Sequence, residues 1–331
     1  HHAPDGRPYA DPAAMARALI AAARDTGIRL TLLPVLYMSG GFDGRPLAER
    51  QRRFGHDLDG FLRLFETLRA LEDETLRVGV AFHSLRAVPP EAMSAALAAL
   101  PAGTPLHIHI AEQIGEVQDC LALRNARPVE WLLDHAPVDR HWTLVHATHL
   151  TAEETAGIAR SGATVAICPT TEANLGDGLF PLRAYLDAGG TWGIGSDSHI
   201  SVSPVEELRW LEYGQRLHTR HRNIAVDGVG QSVGESLLHG TLASGAHASG
   251  QAVGVLAPGM AADWIELEAS APTFAGARPE DVVDRWLFSG NRNLVRQVHV
   301  AGQAVVVDGR HRQAEAITAR YRQVVARLLA D

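Results

Sequence analysis

Along Pro105-Leu-His-Ile-His-Ile-Ala-Glu112 apolar residues fall at every second position, the period of a β-strand. The run ends on a histidine and, three residues later, a carboxylate. Two later segments, Trp142-Thr-Leu-Val-His146 and Trp192-Gly-Ile-Gly-Ser-Asp197, are also short apolar runs that finish on a metal-type ligand. Further β-type runs cover Ile28–Tyr37, Leu76–His83 and Thr164–Cys168, and the run that ends at Asp197 begins at Thr191. Between them apolar residues return at helical spacing. This predicts helices over residues 11–25, Leu58–Leu71, Pro90–Leu100, Glu116–Leu123, Pro128–His135, Ala152–Ser161 and Pro181–Ala188. The first has Asp11 as N-cap, Pro12 at its first position and Gly27 to end it.

Six strands that alternate with helices through short connections predict βαβ units and a parallel sheet. Ligand-type residues at C-terminal strand ends suit an α/β fold of the TIM-type (β/α)8 barrel kind, whose βα loops carry the chemistry. A doubly wound sheet is the weaker alternative, because no glycine-rich fingerprint follows the first strand. A closed barrel needs eight strands, two more than the pattern supplies. After Asp197 the pattern changes to two helices, Pro204–Leu217 and Gly234–Ala248. Short β-like pieces follow at Ala262–Leu267, Val295–Val300 and Gln303–Asp308, with turn signals at Ala301-Gly302 and Asp308-Gly309. A closing helix covers Ala314–Ala330. The expected division is residues 1–250 as barrel, 251–312 as part of a β-sandwich and 313–331 as the closing helix.

The hydrophobic fraction of 46% supports a packed core, and the net charge of −8 comes without long runs of either sign. Nucleic acid and anionic membrane are therefore not the expected partners, and no apolar stretch has the length of a membrane span. A small-molecule substrate is expected. Cys120 and Cys168 are too few for a disulfide framework, which favours a reducing, cytoplasmic setting. All 30 basic residues are arginine. Schiff-base, P-loop and carboxylated bridging lysines are thereby excluded within the chain, and any metal must be held by His, Asp, Glu or Cys.

His109 at a strand end is a good metal ligand. His107 lies two residues earlier on the same face, as a further ligand or a buried structural histidine. Glu112 is placed to move protons beside a metal. His146 ends its apolar run, whereas His149 is assigned to the loop. Asp197 follows small residues that leave its carboxylate exposed, as a ligand or a base. His83 ends another strand and Arg86 lies just past it; in a pocket Arg86 would clamp a substrate carboxylate or phosphate. Cys168, followed by Pro169, reads as a buried structural thiol.

His109-x-x-Glu112, His146, Ser196-Asp197-Ser-His199 and Gly254-x-Leu-x-Pro258-Gly-x-x-Ala-Asp263 occur in an order that resembles the amidohydrolase superfamily. Leu144–Leu150, Cys168–Gly178, Gly195–His199 and Glu206–Arg216 look most similar to its formimidoylglutamate deiminase branch. The resemblance spans almost the whole chain. It implies a TIM-type barrel with a small β-sandwich, a zinc ion (one per subunit, iron being the alternative) and a homodimer. It further implies that His109 and Asp197 hold the metal and that His146 stands beside the attacking water. Glu112 would be the proton shuttle, and His83 and Arg86 would bind substrate. The implied reaction is hydrolysis of a formimino C=N bond with loss of ammonia. A purine- or pterin-type deaminase and an inactive chain are the alternatives. The His-x-His pair expected on the superfamily's first barrel strand is absent. The expectation is therefore that the first two strands lie upstream of His1, as part of a longer protein.

Overall fold

A computed structural model describes residues 2–226 and 231–330, so the reading of His1 lies outside the described residues. The barrel part begins with α1 (Ala14–Thr26), β1 (Leu30–Leu32), β2 (Val35–Leu36), α2 (Leu58–Arg69), β3 (Leu76–Val78), β4 (Val80–Ser84) and α3 (Pro90–Ala99). It continues with β5 (Leu106–Ile110), α4 (Ile114–Arg124), α5 (Pro128–His135), β6 (Trp142–His146), α6 (Ala152–Ser161) and β7 (Thr164–Ile167). Then come α7 (Pro169–Leu175), α8 (Leu182–Asp187), β8 (Thr191–Ile194), α9 (Pro204–Thr219) and α10 (Val233–Ser249). The last part holds β9 (Trp264–Leu267), α11 (Val282–Phe288), β10 (Val295–Val300), β11 (Gln303–Val307), β12 (Arg310–His311) and α12 (Ala314–Leu328).

The six-stranded sheet runs β2-β4-β5-β6-β7-β8 and every pairing in it is parallel. Sequence order and spatial order coincide, as in the winding of an α/β barrel. Among the described residues β2 and β8 are not paired with each other, so the sheet is open. The runs read as Ile28–Tyr37 and Leu76–His83 are each interrupted. Pro34 separates β1 from β2 because its ring nitrogen has no proton to donate to a ladder. Gly79 separates β3 from β4 at a close approach: a Cβ there would meet the Pro105 carbonyl oxygen at 2.5 Å. The pairs Leu30↔Leu76 and Val35↔Ala81 show that the two segments stay side by side across both breaks.

The first helix starts later than its capping signals predict. Ala13 occupies the N-cap position, and Asp11 instead accepts the Ala13 N–H at 2.9 Å, in the turn before it. On the sheet, Leu36, Val80, Phe82, Ile108, Ile110, Leu144 and Val165 are fully buried against α2, α5, α6 and α8, which contribute Phe61, Phe65, Leu132, Ile158 and Tyr185. Leu144 sits mid-strand in this layer with no exposed surface. Leu144→Ala should lower unfolding free energy by about 2–5 kcal/mol, read from urea denaturation; a cost under about 1 kcal/mol would mean that the layer collapses around the lost volume.

The antiparallel layer is a single sheet in the order β12-β11-β10-β9. Asp263, just before β9, pairs with Arg29 at 2.6 Å and accepts the Ala301 N–H at 2.8 Å. That carboxylate, the last residue of the Pro258-Gly-x-x-Ala-Asp263 motif, fastens the antiparallel layer to the start of the parallel one. Among the described residues no helix is long and apolar enough to cross a membrane.

Candidate active site

Strand register brings the predicted residues to one level. Ser84 is paired with His109, His109 with Val145, and Ile110 with His146. The C-terminal ends of β4, β5 and β6 therefore line up at one rim of the sheet. The chain leaves that rim through strained turns: Ala111, His146, Ala147 and Asp197 all have positive φ, between 49° and 69°. These are left-handed conformations that cost a non-glycine residue about 1–3 kcal/mol and persist only where surrounding structure enforces them.

Three candidate ligand groups meet there. One ligand atom each from His109, His146 and Asp197 lies within 4.8 Å of the others. His109 Nδ1–H donates to the His83 carbonyl oxygen at 2.8 Å, so its Nε2 keeps a free lone pair, the arrangement usual for a metal-binding histidine. Burial lowers the His109 pKa and keeps the ring neutral, with the bond to His83 opposing the shift in part. Asp197 is exposed and lies beyond the end of β8, which closes at Ile194 rather than running to Asp197. Gly195 N–H makes a last bond to the Ile167 carbonyl of β7 at 2.9 Å, and the chain turns at Asp197. A Cβ at Gly195 would come within 3.3 Å of the Cys168 sulfur, so a side chain there would crowd the turn.

His146 is almost wholly buried, with its Nε2 3.7 Å from Glu112 Oε1 and its Nδ1 3.2 Å from Glu172 Oε1. Burial alone would lower its pKa. The hydrogen bond to Glu172 and the charges of Glu112, Glu172 and Asp197 outweigh burial and raise it. Glu112 is fixed through its main chain, whose N–H donates to Glu116 Oε2 at 3.0 Å. Its carboxylate stays free to turn toward His146 or a substrate nitrogen.

His83 stacks on Tyr37 with centroids 4.3 Å apart and stands 5.3 Å from the His109 ring. Burial, and then the charges of His109 and Arg86, lower its pKa to about 4. It is thus a neutral hydrogen-bonding group near pH 7. Arg86 follows on a tightly held turn. Its carbonyl accepts from Ser39 Oγ at 2.8 Å, and Arg124 Nη2 holds the neighbouring Leu85 carbonyl at 2.9 Å. Arg86 Nε is buried without a hydrogen-bond partner among the described residues. A guanidinium N–H fixed this way is a donor in want of an acceptor, which a substrate carboxylate would be.

His107 is not brought to this cluster. Its Nε2–H donates to the Ala248 carbonyl at 2.9 Å and ties β5 to the end of α10, a structural role. His149 also stays apart, with its main chain joined to Ala111. Cys168 is buried and its thiol pKa is raised by burial and by surrounding carboxylates, which suits an inert thiol. Its sulfur nevertheless lies within 4.8 Å of ligand atoms of His146 and Glu172.

Sequence reasoning missed Glu172. It sits on α7, a helix absent from the periodicity reading because Pro169-Thr-Thr-Glu-Ala-Asn-Leu175 carries no apolar repeat. Pro169 at the first helical position and an acidic residue in the first turn were the available signals of a helix start. The Glu206–Arg216 stretch has a structural role. Glu207 accepts Thr170 N–H and Oγ1–H at 2.9 and 2.6 Å, and Glu212 accepts the N–H groups of Ile224 and Ala225, each at 3.0 Å. These buried carboxylates fasten α9 to the first turn of α7 and to the segment that follows α9.

The Amidohydrolase family model matches residues 8–305. A formimidoylglutamate deiminase from Pseudomonas aeruginosa is 49% identical over 330 residues, 99% of this chain and 73% of that protein. A 5-methylthioadenosine/S-adenosylhomocysteine deaminase from Natronomonas pharaonis is 26% identical, covering 78% of this chain and 59% of its own length. Among solved structures, an amidohydrolase from Brucella melitensis superposes with TM-score 0.93 at 43% identity, over 99% of this chain and 73% of that one. An adenosine deaminase from Xanthomonas campestris with bound zinc shares the fold, with TM-score 0.79 at 21% identity over 96% of this chain and 70% of its own. With its TIM-type parallel strands, rim of ligand-type residues and this likeness over nearly its full length, the chain belongs to the amidohydrolase family and is a hydrolase of carbon–nitrogen bonds.

Proposed function

We propose that the protein hydrolyses the formimino C=N group of N-formimino-L-glutamate to N-formyl-L-glutamate and ammonia, a step of histidine degradation, with one zinc ion as cofactor. The observation that carries this reading is 49% identity, along 99% of the chain, to a deiminase named for that substrate. The donor set fits a divalent metal: His109 has its Nε2 lone pair free, and Asp197 brings an exposed carboxylate to the same point. His109 and Asp197 are the residues that would hold it. When bound, zinc supplies the Lewis acidity that makes water a competent nucleophile near neutral pH.

The side chains do the rest. The attacking water gives its first proton to Asp197 as its oxygen bonds to the formimino carbon, and its second to His146 as the carbonyl forms. Glu112, within 3.7 Å of His146, protonates the nitrogen that departs as ammonia when the C–N bond breaks. Arg86 and His83 hold a carboxylate of the glutamate portion at the β4 edge of the rim. The test is ammonia release from N-formimino-L-glutamate by the zinc-loaded, full-length protein, and no release would overturn the assignment.

Arg86 distinguishes this substrate from a purine or pterin, which has no carboxylate to clamp. Arg86→Met should raise KM about 10- to 100-fold with kcat little changed, as expected for the loss of a charged hydrogen bond. Unchanged steady-state kinetics would remove Arg86 from substrate binding.

A further inference from the structure

The carboxylate of Glu172 is almost fully buried and points at the ring nitrogen of His146 that faces away from Glu112. A single oxygen, Oε1, accepts the Cys168 N–H at 2.8 Å and lies 3.2 Å from His146 Nδ1. With the acceptor on that side, the shared proton belongs to Nδ1, and Nε2 is left as the nitrogen that exchanges protons at the rim. The neighbouring ring of His109 is fixed by the same logic, through a backbone carbonyl in place of a carboxylate.

We infer that Glu172 is a positioning residue, which holds His146 in the Nδ1–H tautomer with Nε2 presented to Glu112 and supports positive charge on the ring as it accepts a proton. The activity part of this inference rests on the function proposed above; the tautomer part does not. A plainer account is that Glu172 only caps α7. It is the fourth helical residue, after Pro169 at the first, and its side chain reaches back to the Cys168 N–H much as the glutamate of a capping box does from the third. Glutamine caps equally well in that motif, so Glu172→Gln separates the two accounts. It keeps an oxygen for the Cys168 N–H and for Nδ1–H and removes only the charge. Glu172→Leu removes the acceptor as well.

The experiment uses protein with 15N-labelled histidine, loaded with zinc, at a pH where the ring is neutral. Long-range 1H–15N correlations identify which nitrogen of His146 carries the proton. In wild type and Glu172→Gln that nitrogen should be Nδ1, and in Glu172→Leu it should switch to Nε2. With N-formimino-L-glutamate, Glu172→Gln should lower kcat about tenfold and Glu172→Leu about a hundredfold, with KM within twofold and zinc content unchanged. A wild-type ring protonated on Nε2 overturns the inference. So does a Glu172→Gln protein with kcat within twofold of wild type. If the leucine variant fails to fold, the glutamine variant and the wild-type spectrum still decide. If the protein releases no ammonia from this substrate, the tautomer measurement stands alone and the failure belongs to the substrate assignment.

Discussion

Asp197→Asn should give a folded protein that releases ammonia about a thousandfold more slowly, because a proton acceptor and a metal-holding group are lost together. The substitution is nearly isosteric. Asp197 is exposed, and its carboxylate has a hydrogen bond only to the adjacent Ser198 hydroxyl, at 3.3 Å, among the described residues. Little of the fold depends on that group. The asparagine amide is uncharged, cannot take the water's proton and binds a divalent cation far more weakly. The measurements are kcat from ammonia release, zinc per chain by elemental analysis, and the thermal midpoint. Rate and zinc content should fall while the midpoint of the metal-free protein stays within a few degrees of wild type. A variant that keeps more than a tenth of the wild-type rate would take Asp197 out of the site.

Glu112→Gln should be nearly as damaging for a different reason. Glu112 stands beside His146 and is held by its main chain, not by its carboxylate. Glutamine preserves the fold and the loop but has no proton to shuttle to the departing nitrogen. The expected loss in kcat is about 10²- to 10⁴-fold, with zinc content retained and KM little altered. That retained metal separates it from Asp197→Asn. Loss of zinc in Glu112→Gln would instead make Glu112 a ligand, and unchanged kcat would leave the proton transfer to another group.

The strand skeleton was legible because a parallel sheet buried on both faces demands apolar runs, and six such runs with helical spacing between them suffice to order the sheet. Ligands on strands were legible for the same reason: His109 and His146 end such runs, and a polar residue there has to face the rim. Asp197 was found as a residue, but its setting was misread. The periodicity continues through Ile194-Gly-Ser-Asp197, whereas the strand closes at Ile194 and Asp197 already lies in the turn that follows. The breaks at Pro34 and Gly79 were visible as residues but not as breaks, since pairing on either side keeps the run intact. Glu172 escaped because its signal is a short local cap, while its partner is 26 positions away in sequence. Contacts of that kind come from the fold, and no periodicity encodes them. His107 shows the opposite case: two histidines share one face of one strand, and only their surroundings tell that one bonds a carbonyl of α10 while the other keeps Nε2 free.

The cluster of left-handed backbone at Ala111, His146, Ala147 and Asp197 bears on how this protein can be engineered. Glycine tolerates that geometry, so an exchange at Ala111 or Ala147 is where a search for thermal hardening would find easy gains. It is also where such gains are least safe. The same bends aim His146 and Asp197, and a main chain freed to relax would let both swing out of register with Glu112. Directed evolution toward heat tolerance should therefore leave these four positions fixed and look to the solvent-facing helices and the antiparallel layer, where a stiffer scaffold leaves the rim unchanged.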